Sequence, residues 1–216
     1  MTPAELVRSV TVERRVAPCP ELRLRLADEP LTPWAATELE RGGALQEAPF
    51  WAHAWPGGLA LARWALDSPR RLRGRRVLDF ASGCGVSAIA AARAGARVCA
   101  TELDPWALAA IDANAALNDV TLEVRAGDVI DLDDGWDVVL VGDVFYRAEL
   151  ARRVERWLRA LHRRGAEVLI GDPGRQFLPL EGLEVVLTCP VPPNPAWDSV
   201  VDRPARVWRL TPAAAP

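Results

Sequence analysis

The chain has 216 residues, half of them apolar, and a formal net charge of −3. This length suits one large domain, or one domain with a small appendage, and the slight acidic excess predicts no nucleic-acid partner. The four cysteines stand far apart with no C-x-x-C pair, which predicts neither a disulfide framework nor a metal site.

The N-terminal segment 1–15 carries charges throughout, so it lacks the apolar core of a secretion signal. No apolar run elsewhere approaches the length of a membrane span. We therefore predict a cytoplasmic protein without a membrane partner.

Residues 1–48 have a mixed pattern and are predicted to form an N-terminal extension. Apolar and charged residues alternate over 22–29, which predicts a short, half-buried strand. The stretch 32–43 predicts a short helix that ends at paired glycines. An aromatic loop over 49–58 then leads into a helix predicted over 58–69.

From residue 76 onward, strand and helix patterns alternate, as they do in parallel βαβ units. Strands are predicted over 76–81, 97–102, 122–126, 138–142, 167–171, 183–188 and 205–210. Helices are predicted over 86–94, 105–117 and 148–163. The proline-rich stretch 189–197 lies between the last two strands. These elements predict an α/β domain over 49–216 with a doubly wound, mostly parallel, seven-stranded sheet.

The sequence VLDFASGCG over 77–85 joins an apolar strand to a glycine turn and a helix. Strand, glycine loop and helix follow in this order at the ligand crevice of doubly wound sheets. The loop is not G-x-G-x-x-G, and it carries an acid, Asp79, near the end of the strand. It resembles the first motif of S-adenosylmethionine (SAM) methyltransferases, whose ligand has no phosphates and offers an ammonium and hydroxyls to an acid.

Two further acids follow strands at the spacing expected of a nucleoside site. Glu102 ends the strand after the glycine loop, where a carboxylate can accept hydrogen bonds from both ribose hydroxyls. Asp104 precedes Pro105 and could cap the next helix instead. Asp128 follows the third strand of the domain, where it could accept from an adenine amine while Val129 donates its backbone N–H to the ring.

The stretch DVVLVGDVFY over 137–146 is a buried strand that ends in Gly142, Asp143 and Tyr146. The carboxyl ends of such strands face the ligand crevice, so Gly142 allows close approach and Asp143 projects into it. A carboxylate there can hold a substrate ammonium and orient its lone pair after deprotonation. Tyr146 can add a hydroxyl or an aromatic wall that favours a cation, or it can simply pack on a helix.

These residues resemble a known family, the seven-strand protein-lysine methyltransferases. Asp143-x-x-Tyr146 resembles that family's acid-x-x-aromatic motif, and WPGGLALARW over 55–64 looks like its tryptophan-led helix. PFWAHAWPGG, LVGDVFY and LIGDPGR are similar to the branch that methylates the electron transfer flavoprotein beta subunit. The similarity covers about residues 49–176. Ala81 and Ser82 depart from the family, in which glycine is usual at the first of these positions.

The resemblance implies a SAM-binding class I methyltransferase that releases S-adenosylhomocysteine. It implies a cofactor site formed by Trp55, Asp79, Ala81, Ser82, Gly83, Gly85, Glu102, Asp128, Val129 and Gly142. It implies catalytic roles for Asp143 and Tyr146 and substrate-binding roles for Trp51, Asp172 and Arg175. Trp55 could instead be a core aromatic, and Asp172 and Arg175 could instead build a turn around Pro173 and Gly174.

The function implied is SAM-dependent N-methylation of protein lysines, with the electron transfer flavoprotein beta subunit as partner. Three alternatives remain open at this point. A closed aromatic pocket would favour a small-molecule N-methyltransferase acting on an amine or a nicotinamide-like ring. A ribosomal-protein lysine methyltransferase is a second. A SAM-binding module without turnover is a third, but it would need neither Asp143 nor Tyr146.

Overall fold

The computed structural model describes residues 1–42, 48–191 and 204–211. The N-terminal part holds α1 (Pro3–Val10), a two-stranded antiparallel hairpin of β1 (Val12–Val16) and β2 (Cys19–Leu26), and α2 (Leu31–Arg41). A single 3-10 turn at Phe50–Ala52 precedes α3 (Pro56–Asp67) and the short α4 (Pro69–Leu72).

The remainder alternates strands and helices. In chain order these are β3 (Arg76–Phe80), α5 (Val86–Arg93), β4 (Arg97–Glu102), α6 (Pro105–Leu117), β5 (Glu123–Ala126), β6 (Val138–Gly142), α7 (Ala148–Arg164), β7 (Glu167–Asp172), β8 (Leu183–Cys189) and β9 (Ala205–Leu210). The seven-stranded sheet has the order β5-β4-β3-β6-β7-β9-β8. Strands β3 to β7 run parallel, and β9 is antiparallel to both of its neighbours. The predicted seven-stranded, mostly parallel α/β sheet is confirmed.

The central strands are buried on both faces, as expected of a parallel sheet covered by helices. Successive residues point to opposite faces, so Val77 and Leu140 pack in the core beneath α3 and α5, while Leu78 and Val139 pack in the core beneath α7. Among the residues described, no helix is long and apolar enough to cross a membrane.

The prediction of the N-terminal part was incomplete. It missed α1 and β1, and it placed the β2 strand at 22–29 instead of Cys19–Leu26. The strand β1 has charged side chains on three of its five positions and is mostly exposed, so it lacks the apolar alternation that marks a strand. The helix α3 begins at Pro56, two residues before the prediction, because proline suits a first helical turn. Of the proline-rich stretch 189–197, only residues 189–191 are described.

Side-chain amides attach β2 to α6. Asn114 and Asn118 accept hydrogen bonds from the backbone N–H groups of Arg25 (2.6 Å) and Arg23 (3.0 Å). Asn118 also donates to the carbonyl of Arg23, and Asn114 donates to the carbonyl of Cys84 at 2.9 Å. The two asparagines therefore satisfy part of the free edge of β2, and they connect the N-terminal hairpin to the loop after β3.

The first turn of α3 lies directly against the ends of β6 and β7. A Cβ atom added to Gly57 would lie 2.1 Å from the carbonyl oxygen of Gly171, and a Cβ added to Gly171 would lie 2.1 Å from that of Gly57. Only glycine fits at both positions, because the two backbones touch. This contact brings the N–H groups at the start of α3 to the carboxyl edge of the sheet.

Candidate active site

A cavity of about 670 Å³ lies at the carboxyl edge of the parallel strands. Its lining includes Ala81 and Gly83 after β3, Glu102 at the end of β4, and Gly142 and Asp143 after β6. This is the edge at which doubly wound sheets bind their ligands. Other lining residues include Thr37, Phe50, Trp51, Trp55, Leu103, Asp104, Ala107, Asp128, Ile130, Tyr146, Leu150, Arg153 and Arg175.

The loop after β3 is shaped by Asp79, which is fully buried and turned away from the cavity. Its carboxylate accepts from the Ser87 hydroxyl at 2.7 Å and from the Ala88 N–H at 3.2 Å, at the start of α5. Burial raises the pKa of Asp79 to about 6. Asp79 thus fixes how the helix meets the strand, and neither it nor Ser82 nor Gly85 is among the residues that line the cavity.

Ala81 adopts a left-handed backbone conformation with a φ of 52°. The left-handed region costs a non-glycine residue roughly 1–2 kcal/mol. This cost explains why glycine is usual at this position in the methyltransferase motif that the loop resembles. Ala81 nonetheless lines the cavity, so this strained residue lies at the ligand-facing surface of the loop.

Glu102 bridges the loop after β3 and the turn after β4. Its Oε1 accepts from the Gly83 N–H at 2.8 Å, and its Oε2 accepts from the Leu103 N–H at 3.0 Å. Burial raises the pKa of Glu102, and the two backbone donors oppose that rise. Asp104 caps α6 by accepting from the Trp106 N–H at 2.9 Å, which is the alternative that the sequence left open for it.

Asp128 and Val129 occupy the turn after β5. The Asp128 side chain lines the cavity, accepts from the Ile130 N–H at 2.9 Å and pairs with Arg153 at 3.1 Å. Val129 is buried in the core beside α7 and is not among the lining residues.

Asp143 is held in the middle of the site by its backbone and by one carboxylate oxygen. Its φ is 60°, a left-handed conformation that aspartate tolerates better than most residues. Its N–H donates to the Gly171 carbonyl at 2.9 Å, and its Oδ2 accepts from the Gly58 N–H at 2.9 Å. The Arg175 guanidinium lies 3.0 Å from Oδ1. Burial raises the pKa of Asp143 to about 7, while Arg175 opposes the rise.

Asp172 and Arg175 form the turn after β7. Asp172 Oδ1 accepts from the N–H groups of Gly174 (2.7 Å) and Arg175 (2.6 Å), and burial raises the pKa of this carboxyl. Asp172 is therefore the turn former that the sequence allowed for, and it is not a lining residue. Arg175 has both roles, because its backbone completes the turn and its side chain enters the cavity.

Four aromatic side chains form one wall of the cavity. The Trp55 indole N–H donates to the Phe50 carbonyl at 2.8 Å. The Phe50 ring lies 5.6 Å from the Trp55 ring and 5.9 Å from the Tyr146 ring. Trp51 also lines the cavity but is buried, and its indole nitrogen has no hydrogen-bond partner among the described residues. Tyr146 is 40% exposed, so it does not belong to the core.

Several lining residues were missed by the sequence analysis, among them Thr37, Phe50, Ile130, Leu150 and Arg153. Leu103 could have been predicted from the sequence, because it is an apolar residue directly after the ribose-type acid; the structure leaves it 70% exposed. Phe50 lies in the PFWAHAWPGG stretch, whereas the other four residues carry no motif that would group them.

Comparison with known proteins gives the same fold. A family model described as ribosomal protein L11 methyltransferase matches residues 61–144. The 16S rRNA N2 G1207 methyltransferase of T. Thermophilus has a TM-score of 0.59 at 17% identity, over 93% of this chain and 50% of that one. The magnesium protoporphyrin IX methyltransferase of Synechocystis PCC 6803 has a TM-score of 0.53 at 15% identity, over 72% of this chain and 78% of that one.

Sequence relatives are more specific. The electron transfer flavoprotein beta subunit lysine methyltransferase of Homo sapiens is 43% identical over 72% of this chain and 60% of its own length. That of Xenopus laevis is 45% identical over 72% of this chain and 64% of its own length. The chain thus spans less than two thirds of these curated relatives. The chain therefore has the fold of the class I methyltransferases, and its sequence is similar to those of the electron transfer flavoprotein beta subunit lysine methyltransferases.

Proposed function

We propose that this protein transfers methyl groups from S-adenosylmethionine to lysine side chains of the electron transfer flavoprotein beta subunit. The observation that carries the proposal is the buried Asp143 carboxylate beside the cavity, held by the first turn of α3. The relatives named for this activity support the choice of substrate.

The residues present fit S-adenosylmethionine. A cavity of about 670 Å³ falls within the range of small-molecule sites, roughly 300–1,000 Å³. A Cβ atom at Gly83 would meet nothing within 4 Å, so the loop after β3 leaves open space beside the Glu102 carboxylate. When bound, this cofactor supplies a methyl group made electrophilic by its sulfonium.

We assign Glu102 to the ribose hydroxyls, and Ala81, Gly83 and Gly142 to the backbone surface under the cofactor. Asp128 would flank its adenine, and Trp55 would close its other end. Val129, buried beside α7, would instead support the turn that carries Asp128. Asp79, Ser82 and Gly85 contribute by holding the loop in shape. In this assignment, one group of residues contacts the cofactor, and a second group holds the first group in place.

Asp143 acts on the substrate. A lysine side chain has a pKa near 10.4 in water, so it arrives as an ammonium that cannot attack. The Asp143 carboxylate would attract that ammonium, which would release its proton to solvent water. Asp143 Oδ1 would then orient the neutral amine that remains. Tyr146, Phe50 and Trp55 would form an aromatic wall that favours a cation. Trp51 would support this wall.

The test is to incubate the purified protein with S-adenosylmethionine and recombinant electron transfer flavoprotein and to measure intact masses. We expect increments of one to three methyl groups on lysines of the beta subunit. Because the family model over 61–144 is that of ribosomal protein L11 methyltransferase, L11 is the second candidate and shares the assay. Methylation of L11 or of nicotinamide alone would replace the proposed substrate. The cytoplasmic location stays a prediction.

Replacing Glu102 by alanine should weaken S-adenosylmethionine binding at least about tenfold, because hydrogen bonds to a charged acceptor contribute roughly 1.5–3 kcal/mol. Titration calorimetry measures the effect. Glu123→Ala is the matched control, since this exposed glutamate on β5 does not line the cavity. Unchanged affinity in Glu102→Ala would remove this carboxylate from the cofactor site.

The raised pKa of Asp143 predicts how activity depends on pH. Below its pKa of about 7 the side chain is protonated and neutral, so it cannot attract an ammonium. Loss of the lysine proton makes kcat/KM rise with pH everywhere below about 10, so we expect Asp143 to show as a steeper rise below about pH 7 than above it. The same slope on both sides of about pH 7 would contradict the assignment.

A further inference from the structure

The turn after β7 fixes the backbone of Arg175 but not the far end of its side chain. Asp172 accepts hydrogen bonds from the backbone N–H groups of Gly174 and Arg175, which sets where the chain turns. The guanidinium then extends to Asp143 on the neighbouring strand end. Because only the backbone of Arg175 is fixed by the turn, its side chain can rotate without disturbing that turn.

Arg175 lines two adjoining spaces. One is the cavity of about 670 Å³ that contains Asp143, and the other is a groove of about 460 Å³ between the turn and β9. Gln176, Leu178, Arg206 and Trp208 line the groove. The Arg175 side chain is 22% exposed, whereas that of Asp143 is only 10% exposed. The guanidinium therefore lies on the boundary between the buried carboxylate and a space into which it could move.

The contact between the two groups is ionic but poorly aligned. Asp143 Oδ2 receives a hydrogen bond from the Gly58 N–H at 2.9 Å. Oδ1 is buried and lies 3.0 Å from the Arg175 guanidinium, yet it receives no well-directed hydrogen bond from any described residue. Oδ1 thus has a positive charge beside it and an unused acceptor position. A permanent structural ion pair would be expected to fill that position.

We propose that Arg175 occupies the place of the substrate ammonium at Asp143 Oδ1 in the free protein, and that it moves into the β9 groove when lysine binds. The inference rests on the proposed function, because it concerns the same site. In this role Arg175 keeps a buried carboxylate compensated until substrate arrives, since an unpaired buried charge is costly. It also competes with the substrate, because each lysine must displace it.

Competition distinguishes this role from ordinary substrate binding. If Arg175 held the substrate, its removal would weaken substrate binding. If it occupies the ammonium position, its removal frees that position and strengthens binding of a cation. If the ammonium position is free in only part of the protein molecules, the apparent affinity for a cation falls in proportion to that fraction. For a position that is free about one tenth of the time, removing Arg175 should therefore strengthen cation binding about tenfold.

The experiment is an NMR titration with n-butylammonium, which has the length and charge of a lysine side chain, in the absence of cofactor. It compares the unaltered protein with Arg175→Met and Arg156→Met at about pH 9, above the pKa of about 7 of Asp143, where amines of this type are still mostly protonated. Because removal of the guanidinium raises the pKa of Asp143 further, the comparison is repeated at about pH 10. Arg156 is an exposed arginine on α7 that lines neither space, and it is the matched control. Arg175→Gln is a second variant in case the methionine protein does not fold.

We expect butylammonium to bind Arg175→Met about tenfold more tightly than the unaltered protein, with Arg156→Met unchanged. Adding Asp143→Asn to Arg175→Met should abolish the gain. With the beta subunit as substrate, Arg175→Met should show a lower KM at this pH with little change in kcat. Equal or weaker binding of butylammonium by both Arg175 variants would overturn the inference. Because the titration needs no methyl transfer, failure of the proposed function would show separately, in the unaltered protein's methylation assay.

Discussion

Replacing Asp143 by asparagine is expected to lower the turnover of lysine methylation by about a hundredfold or more, which is the scale of lost acid–base help and positioning. Asparagine keeps the shape of the side chain, and its amide oxygen can still accept from the Gly58 N–H. Its NH₂ group then takes the place of Oδ1 and faces the substrate ammonium. A donor facing a cation removes the attraction that brings the lysine amine into line.

Affinity for S-adenosylmethionine should stay nearly unchanged in this variant, because the proposed ribose contact lies on β4. Single-turnover rates and titration calorimetry separate the two quantities. Glu149→Gln is the control, since it removes an exposed acid at the start of α7 without touching the buried pair. Full turnover in Asp143→Asn would show that no carboxylate is needed at this position.

Gly57→Ala is expected to destabilise the fold by about 3 kcal/mol or more, at the upper end of overpacking effects. The new Cβ would lie 2.1 Å from the Gly171 carbonyl oxygen, and a backbone group inside the sheet cannot rotate away. The first turn of α3 would have to lift off β7. This movement would withdraw the Gly58 N–H from Asp143, so residual folded protein should also lose turnover.

Chemical denaturation measures the change in stability, and Gly58→Ala is the matched control. A Cβ at Gly58 would meet only a methyl carbon of Val86, at 3.2 Å, which a side chain can accommodate. Alanine also favours a helix over glycine by up to about 1 kcal/mol. If Gly57→Ala unfolded at the same denaturant concentration as the unaltered protein, the close contact between α3 and β7 would not exist in solution.

The alternating core of the fold could be predicted from the sequence because its signals are local. The prediction for α6 matched both ends, since Asp104 and Pro105 mark its start and the apolar pattern stops at Leu117. Strands β4, β6 and β9 were also predicted with their observed ends. The hairpin strand β1 was missed because its charged residues face water and lack an apolar face.

The site could be predicted only as positions along the chain. Asp79 and Glu102 are both acids near strand ends, yet the first turns inward to Ser87 and the second reaches the cavity. A motif fixes where the Cα lies, whereas the direction of a side chain depends on which donors tertiary packing places nearby. The pairing of Asp143 with Arg175 likewise depends on the sheet order that puts β6 beside β7.

The side-chain amides of Asn114 and Asn118 couple the N-terminal hairpin to α6. At the start of that helix, its cap Asp104 and the residue Ala107 lie at the cavity edge. A shortened protein lacking β2 would leave the Asn114 oxygen, which is fully buried, without its partner on Arg25. Trimming the chain in front of the sheet would therefore loosen the ribose side of the pocket. In hydrogen-exchange measurements, the Arg23 and Arg25 amides should report on occupancy of a site that neither residue touches.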